Sequence, residues 1–325
     1  MDLTIAIAVY NGEKYIERCI MSIVNAFNKV KSDSFKLKVL AINDGSKDNS
    51  LNVLKSFGEK YDYINVIDKE NGGLSSVRNL SIELCDSEYI WMIDIDDEIT
   101  IDSLDIISTK SFSDINIFNY DIFDSTGKFL KSSKRVQLEE RTTLKEKKDL
   151  LLQDTASWHY IFRTEFLKKS GIRFLSQKLY EDFNWNLKIM LVAKEISTFT
   201  ETIYKYYLTD GSIMRNKNLN RRDEIFDVFT DILDFYKNNN EYELYKTELE
   251  YWGIHNLLYV NYMDAFIIDS KAKLLDDYLH YLNSNFPEWT KNKYFRELTT
   301  KRRFVIFCVK YKLKFLLKLI KAFTE

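Results

Sequence analysis

The sequence is poor in the residues that mark disordered linkers and metal or disulfide scaffolds. Proline occurs once, at Pro287, whereas tyrosine and phenylalanine occur 21 and 22 times in 325 residues. This composition argues against disordered linkers and for aromatic-rich packing. The three cysteines are far apart and have neither metal-ligand nor disulfide spacing, which argues against a structural zinc site and fits a reducing compartment.

The sequence lacks the features that mark several functional classes of protein. The formal net charge of −2 gives no indication of nucleic acid as a partner. No apolar run reaches the roughly 18 residues of a membrane span, and the first residues show no signal peptide, so we expect a cytoplasmic protein. A Gly-x4-Gly-Lys loop and a Gly-x-Gly-x-x-Gly motif are both missing, which argues against nucleotide hydrolases and dinucleotide enzymes.

The first third of the chain alternates apolar runs with amphipathic segments. Strands are predicted at 3–9, 36–42, 63–68 and 89–94. Helices are predicted between them, the first over 13–28. This alternation is typical of an α/β fold with a mostly parallel sheet covered on both faces. The polar strand ends "YNG", "NDGS" and "DIDD" are then expected to meet at the carboxyl edge of the sheet.

The pattern is looser after residue 100. Residues 114–123 and 129–138 are predicted to form a hairpin around the turn "DSTGK". A helix over 182–196 and a strand over 202–208 follow. From 221 to 284 the sequence predicts a helical, aromatic-rich region.

The segment "YIWMIDIDDEIT" places three acidic residues directly after a buried strand. Buried carboxylates repel each other and lose their hydration, so a positive partner is expected there. Asp94 and Asp96 form an Asp-x-Asp motif whose carboxylates can share a divalent cation with phosphate oxygens. The alternative is a solvated turn that caps the following helix.

Three segments, in this order, resemble glycosyltransferase family 2: "TIAIAVYNGEKYIERCIMSI", "VLAINDGSKDNS" and "NGGLSSVRNLSIELCDSEYIWMIDIDDEI". The resemblance is strong over about residues 3–100 and looser, through "LYEDFNWNLKIMLVAKEI", to about residue 215. It implies a GT-A (Rossmann-like) domain over 1–215, with a nucleotide-binding half (1–100) and an acceptor half (101–215). A helical region (216–300) and a basic tail (301–325) would follow.

The resemblance implies specific contacts with the nucleotide. Ala8 and Tyr10 fall on the loop that surrounds the nucleobase, and Asp44 falls on the acidic residue that binds the uracil edge. Gly73 allows a close backbone path near the ligand, and Arg78 approaches the ribose or diphosphate. The alternatives are loop packing for Tyr10, turn formation at Asp44 and a helix-surface salt bridge for Arg78.

For the strand end, the resemblance implies that Asp94 lies near the ribose and that Asp96 binds Mn²⁺ or Mg²⁺ on the diphosphate. Asp97 is expected to cap or support rather than to bind metal. Ile95 stands where the family commonly has a small polar residue; we expect it to alter sugar packing.

The motif "YEDFNW" resembles the Glu-Asp motif of the family. It makes Asp182 the candidate general base, which deprotonates the acceptor hydroxyl in an inverting transfer. Glu181 would orient the base or touch the acceptor. The alternative is acidic capping of the helix N-terminus, and both roles can coexist.

The resemblance extends to two further segments, for which it implies contacts with the sugar and with the diphosphate. "ASWHYIFRTEFLKKSGIRF" resembles the acceptor side of polysaccharide-assembly members, where Trp158 and His159 would line the sugar pocket. A structural role is the alternative for His159. "YYLTDGSIMRNK" resembles a segment that closes over the diphosphate, with Ser212 and Arg215 as contacts.

The resemblance implies a UDP-sugar donor and a hexosyltransferase of bacterial surface polysaccharides such as capsule. The Gln-x-x-Arg-Trp motif of processive synthases is missing, so a single-sugar transfer is expected. A lipid-diphosphate-linked oligosaccharide is the expected acceptor. Two alternatives stay open: a sugar-nucleotide nucleotidyltransferase, although "YNGEKY" is not a Gly-rich basic loop, and a non-catalytic nucleotide- or glycan-binding relative.

The segment 301–325 contains eight basic residues and one acidic residue. The sequence predicts one amphipathic helix, with Lys310, Lys314, Lys318 and Lys321 on one face and Val309, Leu313, Leu316, Leu317 and Ile320 on another. A basic amphipathic helix indicates peripheral binding to the inner face of the cell membrane. The alternative is a terminal helix that docks its apolar face on the protein.

Overall fold

The computed structural model describes residues 1–133, 136–209 and 219–322. The chain forms two compact units. The first contains Met1–Lys147 and Gln153–Met214, and the second contains Lys148–Leu152 and Arg215–Glu325.

The first unit begins with four parallel strands in the spatial order β3-β2-β1-β4. The strands at 2–9, 36–44 and 89–94 have nearly continuous runs of buried residues, because helices cover the sheet on each side. The four strands and the three helices between them are β1 (Asp2–Val9), α1 (Glu13–Phe27), β2 (Lys36–Asp44), α2 (Ser50–Lys60), β3 (Ile64–Lys69), α3 (Leu74–Leu84) and β4 (Tyr89–Asp94).

The sheet continues beyond β4 in the order β9-β6-β10-β5 and becomes mixed, because β9 runs antiparallel to both β4 and β6. The remaining elements of this unit are β5 (Glu98–Ile99), α4 (Ser103–Thr109), β6 (Ile115–Asp124), β7 (Phe129–Ser133), β8 (Glu140–Thr142), β9 (Tyr160–Arg163), α5 (Thr164–Ser170), α6 (Glu181–Val192) and β10 (Ile196–Leu208). The expected α/β fold, with parallel strands in its first part, is confirmed.

Several details of the later half differ from the sequence prediction, including the strand predicted over 129–138, which ends at Ser133, and the strand Glu140–Thr142, which was not predicted. The helix predicted over 182–196 ends at Val192, and the strand predicted over 202–208 begins at Ile196. The segment from 196 is rich in β-branched residues and pairs with β6 and β8. The four-residue strand β9 was not predicted, because so short an apolar run has no clear period.

The second unit is helical, as the sequence predicts. Its helices are α7 (Glu224–Asn238), α8 (Tyr242–Gly253), a π-helical segment (Ile254–Asn261), α9 (Tyr262–Ile268), α10 (Leu274–Asn285), α11 (Lys293–Glu297), α12 (Thr300–Lys310) and α13 (Lys314–Ala322). Within the described parts of the chain, no helix combines the length and apolarity that crossing a bilayer requires.

The prediction of one continuous tail helix is wrong. The helix is interrupted at Lys312, which has a left-handed φ of 55°. The helices α12 and α13 lie on either side of this interruption. The predicted lysine face is therefore not a single helical face. Val309 and Leu317 are buried in the second unit, so the alternative of a docked apolar face holds for these residues. The side chains of Ile320 and Lys321 lie outside the described part of the chain.

Candidate active site

The carboxyl ends of β1, β2 and β4 lie side by side. Ala8 pairs with Ile42 on one side and with Asp94 on the other. The segments after these strands therefore start from the same edge of the sheet, where a parallel α/β fold binds its ligands. The predicted convergence of the strand ends is confirmed.

Arg78 of α3 is the positive partner that the buried acidic segment requires. It is only 3% exposed. Its Nη2 donates to Oδ1 of Asp94 at 3.2 Å, and its Nη1 donates to Oδ1 of Asp182 and lies 3.6 Å from Oε1 of Glu181. Burial excludes the alternative of a surface salt bridge. Arg78 joins the end of β4 to the start of α6.

One guanidinium faces three carboxylates in this cluster, so the negative charges are not fully compensated. Burial lowers the pKa of Arg78, but Asp182, Asp94 and Glu181 together raise it above its ordinary value. Burial also raises the pKa of Asp94 to about 6, against the attraction of Arg78. The pKa of Glu181 rises to about 7, through burial first and the neighbouring Asp182 second. The site therefore favours an additional cation or a shared proton.

Asp182 lies in the first turn of α6, after Tyr180, whose φ of 64° is left-handed. Ser157 Oγ donates to Oδ1 of Asp182 at 2.7 Å, and Arg78 donates to the same oxygen. Among the residues that the structure describes, no donor reaches Oδ2. Two donors thus fix the carboxylate of Asp182 through Oδ1.

Asp96 lies in the turn between β4 and β5. Thr209 Oγ1 donates to its Oδ2 at 2.8 Å, and a guanidinium nitrogen of Arg18 donates to its backbone carbonyl. No group of three or more acidic, histidine or cysteine side chains suited to a metal occurs within 1–133, 136–209 and 219–322. A single carboxylate still fits Mg²⁺ or Mn²⁺, because these ions bind nucleotides with one or two carboxylates, phosphate oxygens and water.

Asp97 is a buried support for this turn rather than a ligand. Its Oδ2 accepts from the hydroxyl of Tyr204, and its Oδ1 accepts from the backbone N–H of Tyr207, both at 2.7 Å. Burial, followed by Asp96 and Asp94, raises its pKa well above the ordinary value. Asp97 therefore attaches the acidic turn to β10.

We expect Asp97→Ala to destabilise the first unit by about 2–4 kcal/mol, because it leaves two buried donors without an acceptor. Tyr204→Phe removes one of the two bonds, together with the bond that the backbone N–H of Asp94 donates to the Tyr204 hydroxyl at 3.2 Å, and should cost about 1–2 kcal/mol. Urea unfolding of the full chain measures both. Equal and small effects of the two variants would contradict this role of Asp97.

The predicted uracil-binding residue, Asp44, holds the loop before α3 in this structure. Its carboxylate accepts from the backbone N–H groups of Gly72 and Gly73 at 2.9 and 2.8 Å, and Lys69 Nζ lies 2.6 Å away. Gly73 has a φ of +82°, which strongly favours glycine. Tyr10 is 50% exposed. Nucleobase contacts of Asp44, Tyr10 and Ala8 stay predictions.

Trp158 and His159 lie in the core beneath the site. The Trp158 ring is 5% exposed and stacks on Tyr204 with centroids 4.7 Å apart. His159 is buried, and its Nε2 lies 2.7 Å from the carbonyl oxygen of Asp154. This packing supports the structural alternative for His159. A sugar contact by either residue stays a prediction.

Ile95 packs against the loop that follows β1, since a Cβ at Gly12 would lie 3.2 Å from its Cγ2. Ser212 and Arg215 lie outside the described residues. Sequence reasoning missed Ser157 and Thr209. Ser157 directly precedes Trp158, which the resemblance singles out, and its hydroxyl could have marked it as a possible hydrogen-bond donor. Thr209 lies in the segment "YYLTDGSIMRNK", which the resemblance singles out, but its bond with Asp96 could not be predicted because the two residues are 113 positions apart.

Comparison with known proteins identifies the family. The sequence profile described as glycosyl transferase family 2 matches residues 4–171. The uncharacterized glycosyltransferase YibD of Escherichia coli is 27% identical over 67% of this chain and 66% of its own length. Glycosyltransferase GlyA of Streptococcus pneumoniae is 24% identical over 95% of this chain, which covers only 44% of GlyA.

The fold also has a close counterpart among solved structures. Residues 1–349 of TarS from Staphylococcus aureus, crystallised with UDP-GlcNAc, superpose with a TM-score of 0.72. The match covers 99% of this chain and 88% of that structure at 19% identity, which confirms the expected GT-A fold. The family model matches more than half of the residues, so this chain belongs to glycosyl transferase family 2.

Proposed function

We propose that this protein transfers one sugar, with inversion, from a UDP-sugar to a glycan acceptor in bacterial surface-polymer synthesis. The observation that carries the proposal is the bridge by Arg78 between Asp94 at the end of β4 and Asp182 at the start of α6. It brings the candidate base next to the strand end that would hold the diphosphate. Family membership over residues 4–171 supports the same reaction class.

In this mechanism Oδ2 of Asp182 takes the proton of the acceptor hydroxyl while the hydroxyl oxygen attacks the anomeric carbon. The new glycosidic bond forms as the bond from the anomeric carbon to the UDP oxygen breaks. Arg78 and Ser157 hold Oδ1 and keep the carboxylate oriented. Inversion follows from a single displacement on the face opposite the leaving UDP.

Asp96 would hold Mg²⁺ or Mn²⁺ against the donor diphosphate. When bound, the ion would neutralise charge on the departing UDP. Thr209 orients the carboxylate of Asp96 through its hydrogen bond, and Arg18 fixes the backbone of the same turn. The mannosyltransferase PcManGT from Pyrobaculum calidifontis, solved in complex with GDP-Man and Mn²⁺, has a TM-score of 0.53 to this chain at 12% identity and is consistent with such a site.

Donor and acceptor are proposed by analogy. TarS was crystallised with UDP-GlcNAc and with UDP, which supports a uridine nucleotide. The poly(ribitol-phosphate) beta-glucosyltransferase of Bacillus spizizenii is 29% identical over 66% of this chain, which covers 33% of that protein. Its name supports a polymer as the acceptor. A lipid-diphosphate-linked form of that acceptor, on the cytoplasmic side of the membrane, is part of the proposal.

A donor screen tests the reaction class. The full chain is incubated with UDP-, GDP- and ADP-sugars and Mn²⁺, and release of the nucleotide diphosphate is measured. We expect UDP release from one UDP-sugar. Release of pyrophosphate from UTP and a sugar phosphate would indicate a nucleotidyltransferase instead. UDP-sugar binding without turnover, even when candidate acceptors are added, would indicate a non-catalytic relative.

Metal dependence gives a separate prediction for Asp96. We expect EDTA to abolish UDP release, Mn²⁺ to restore it, and Asp96→Ala to lower it at least tenfold at saturating Mn²⁺, because the ion offsets several kcal/mol of charge in the transition state. Asp102→Asn is the matched control, since Asp102 is an exposed carboxylate after the same turn, paired with Lys29. Full activity in EDTA would refute the metal site.

A further inference from the structure

The end of the second unit carries a row of exposed apolar side chains. We call this row, formed by α12, α13 and the turn between them, the aromatic strip. Each member exposes between 44% and 63% of its surface. The rings of Phe307 and Tyr311 lie 4.6 Å apart. The strip consists of Phe304, Phe307, Tyr311, Phe315 and Leu319.

These side chains are not needed to attach the helices to the second unit. The inward face of α12 and α13 is already buried, through Val305, Ile306, Cys308, Val309 and Leu317. The helices α12 and α13 therefore carry apolar side chains on both their inward and their outward faces. Exposed apolar patches on folded proteins often mark surfaces for other molecules, so the exposure of these five side chains favours a partner for the outward face.

The charge around the strip indicates what that partner is. Exposed cations lie on the same two helices and their connecting turn, and the sequence has no acidic residue from Leu298 to Thr324. Lys310 Nζ lies 5.3 Å from the centroid of the Tyr311 ring, within cation–π distance. Lys312 also forms an ion pair with Asp276. The exposed cations are Lys301, Arg303, Lys310, Lys312 and Lys318.

A second copy of this chain does not fit this surface. In a symmetric dimer the strip would face itself, and its cations would approach the same cations of the partner. An anionic lipid surface can bind both the aromatic strip and the surrounding cations, because the rings enter the membrane interface while lysine and arginine contact the head groups. Helices of 11 and 9 residues are too short to span a bilayer, so they would lie in its surface.

We propose that the aromatic strip and its cations form an interfacial membrane-docking site for anionic phospholipid. This site differs from the lysine face predicted by a single continuous helix, since the break at Lys312 and the burial of Val309 select the opposite apolar row. The proposal does not depend on the glycosyl-transfer reaction, because vesicle binding is measured without donor or acceptor.

The test is flotation of the full chain with vesicles of phosphatidylglycerol and phosphatidylcholine, and with vesicles of phosphatidylcholine alone. We expect binding to the anionic vesicles that is lost at high salt. Arg303→Gln, Lys310→Gln and Lys318→Gln combined should weaken the partition coefficient about 100-fold, at roughly fivefold for each basic residue near the surface. Phe304→Ser, Phe307→Ser and Phe315→Ser combined should weaken it at least about tenfold.

Phe129→Ser with Leu130→Ser is the matched control, because these residues of the first unit have similar exposure, 51% and 46%, and should leave binding unchanged. Surface substitutions are preferable to deletion of the tail, which would also remove the buried face. Equal binding of the wild-type chain and both combined variants would overturn the proposal. So would absence of binding together with a dimer, in analytical ultracentrifugation, that the phenylalanine variant dissociates.

Discussion

Replacing Asp182 by asparagine is expected to lower kcat for glycosyl transfer by about 10²–10⁴-fold, the usual contribution of a positioned general base. Asparagine keeps an oxygen that can accept from Ser157 and Arg78, so the fold and nucleotide binding should be preserved. It cannot take the acceptor proton. The measurement is steady-state transfer with the donor that the screen identifies, together with UDP affinity by calorimetry.

The alternative role of Asp182, capping of α6, predicts a different result. A capping residue affects stability by about 1 kcal/mol and leaves kcat nearly unchanged. Glu165→Gln is the matched control, because Glu165 is an acidic residue in the first turn of α5 whose ion pair with Lys169 is exposed. If Asp182→Asn changes kcat no more than Glu165→Gln does, Asp182 is not the base.

Replacing Arg78 by methionine should give the largest loss of stability, about 3–5 kcal/mol at pH 7. The variant leaves Asp94, Glu181 and Asp182 close together without their shared cation. Arg163→Met is the control: Arg163 also bridges two carboxylates, of Glu88 and Asp114, but it is 32% exposed. A partly exposed pair of this kind contributes at most about 1 kcal/mol. Similar losses for the two variants would contradict the central role of Arg78.

The same cluster predicts a pH dependence. Glu181 has a raised pKa of about 7 in the folded protein, so the folded state binds more protons than the unfolded state between about pH 4.5 and 7. The free energy of unfolding therefore decreases as pH rises through this interval. Removing Arg78 should steepen the decrease, and Glu181→Gln should flatten it. Urea unfolding between pH 5 and 8 checks both, and parallel curves would refute the assignment.

The sequence predicted the structure of some parts of this protein better than that of others. The four parallel strands and their helices followed from local patterns, because an apolar run of six to eight residues next to an amphipathic segment has few other ways to bury itself. The acidic end of β4 required a positive partner, and the family resemblance singled out Arg78. The short strand β9 and the start of β10 could not be predicted, because pairing with distant strands defines them.

The sequence by itself determined the family, the parallel half of the sheet, the helical second unit and the residue types of the candidate site. Only the tertiary structure decided which polar side chains meet: Arg78 with Asp182, 104 positions apart, and Asp96 with Thr209, 113 positions apart. It also decided that the tail is two helices whose outward row is aromatic. Periodicity reports which residues share a face, whereas burial of one face or the other depends on partners that are distant in the chain.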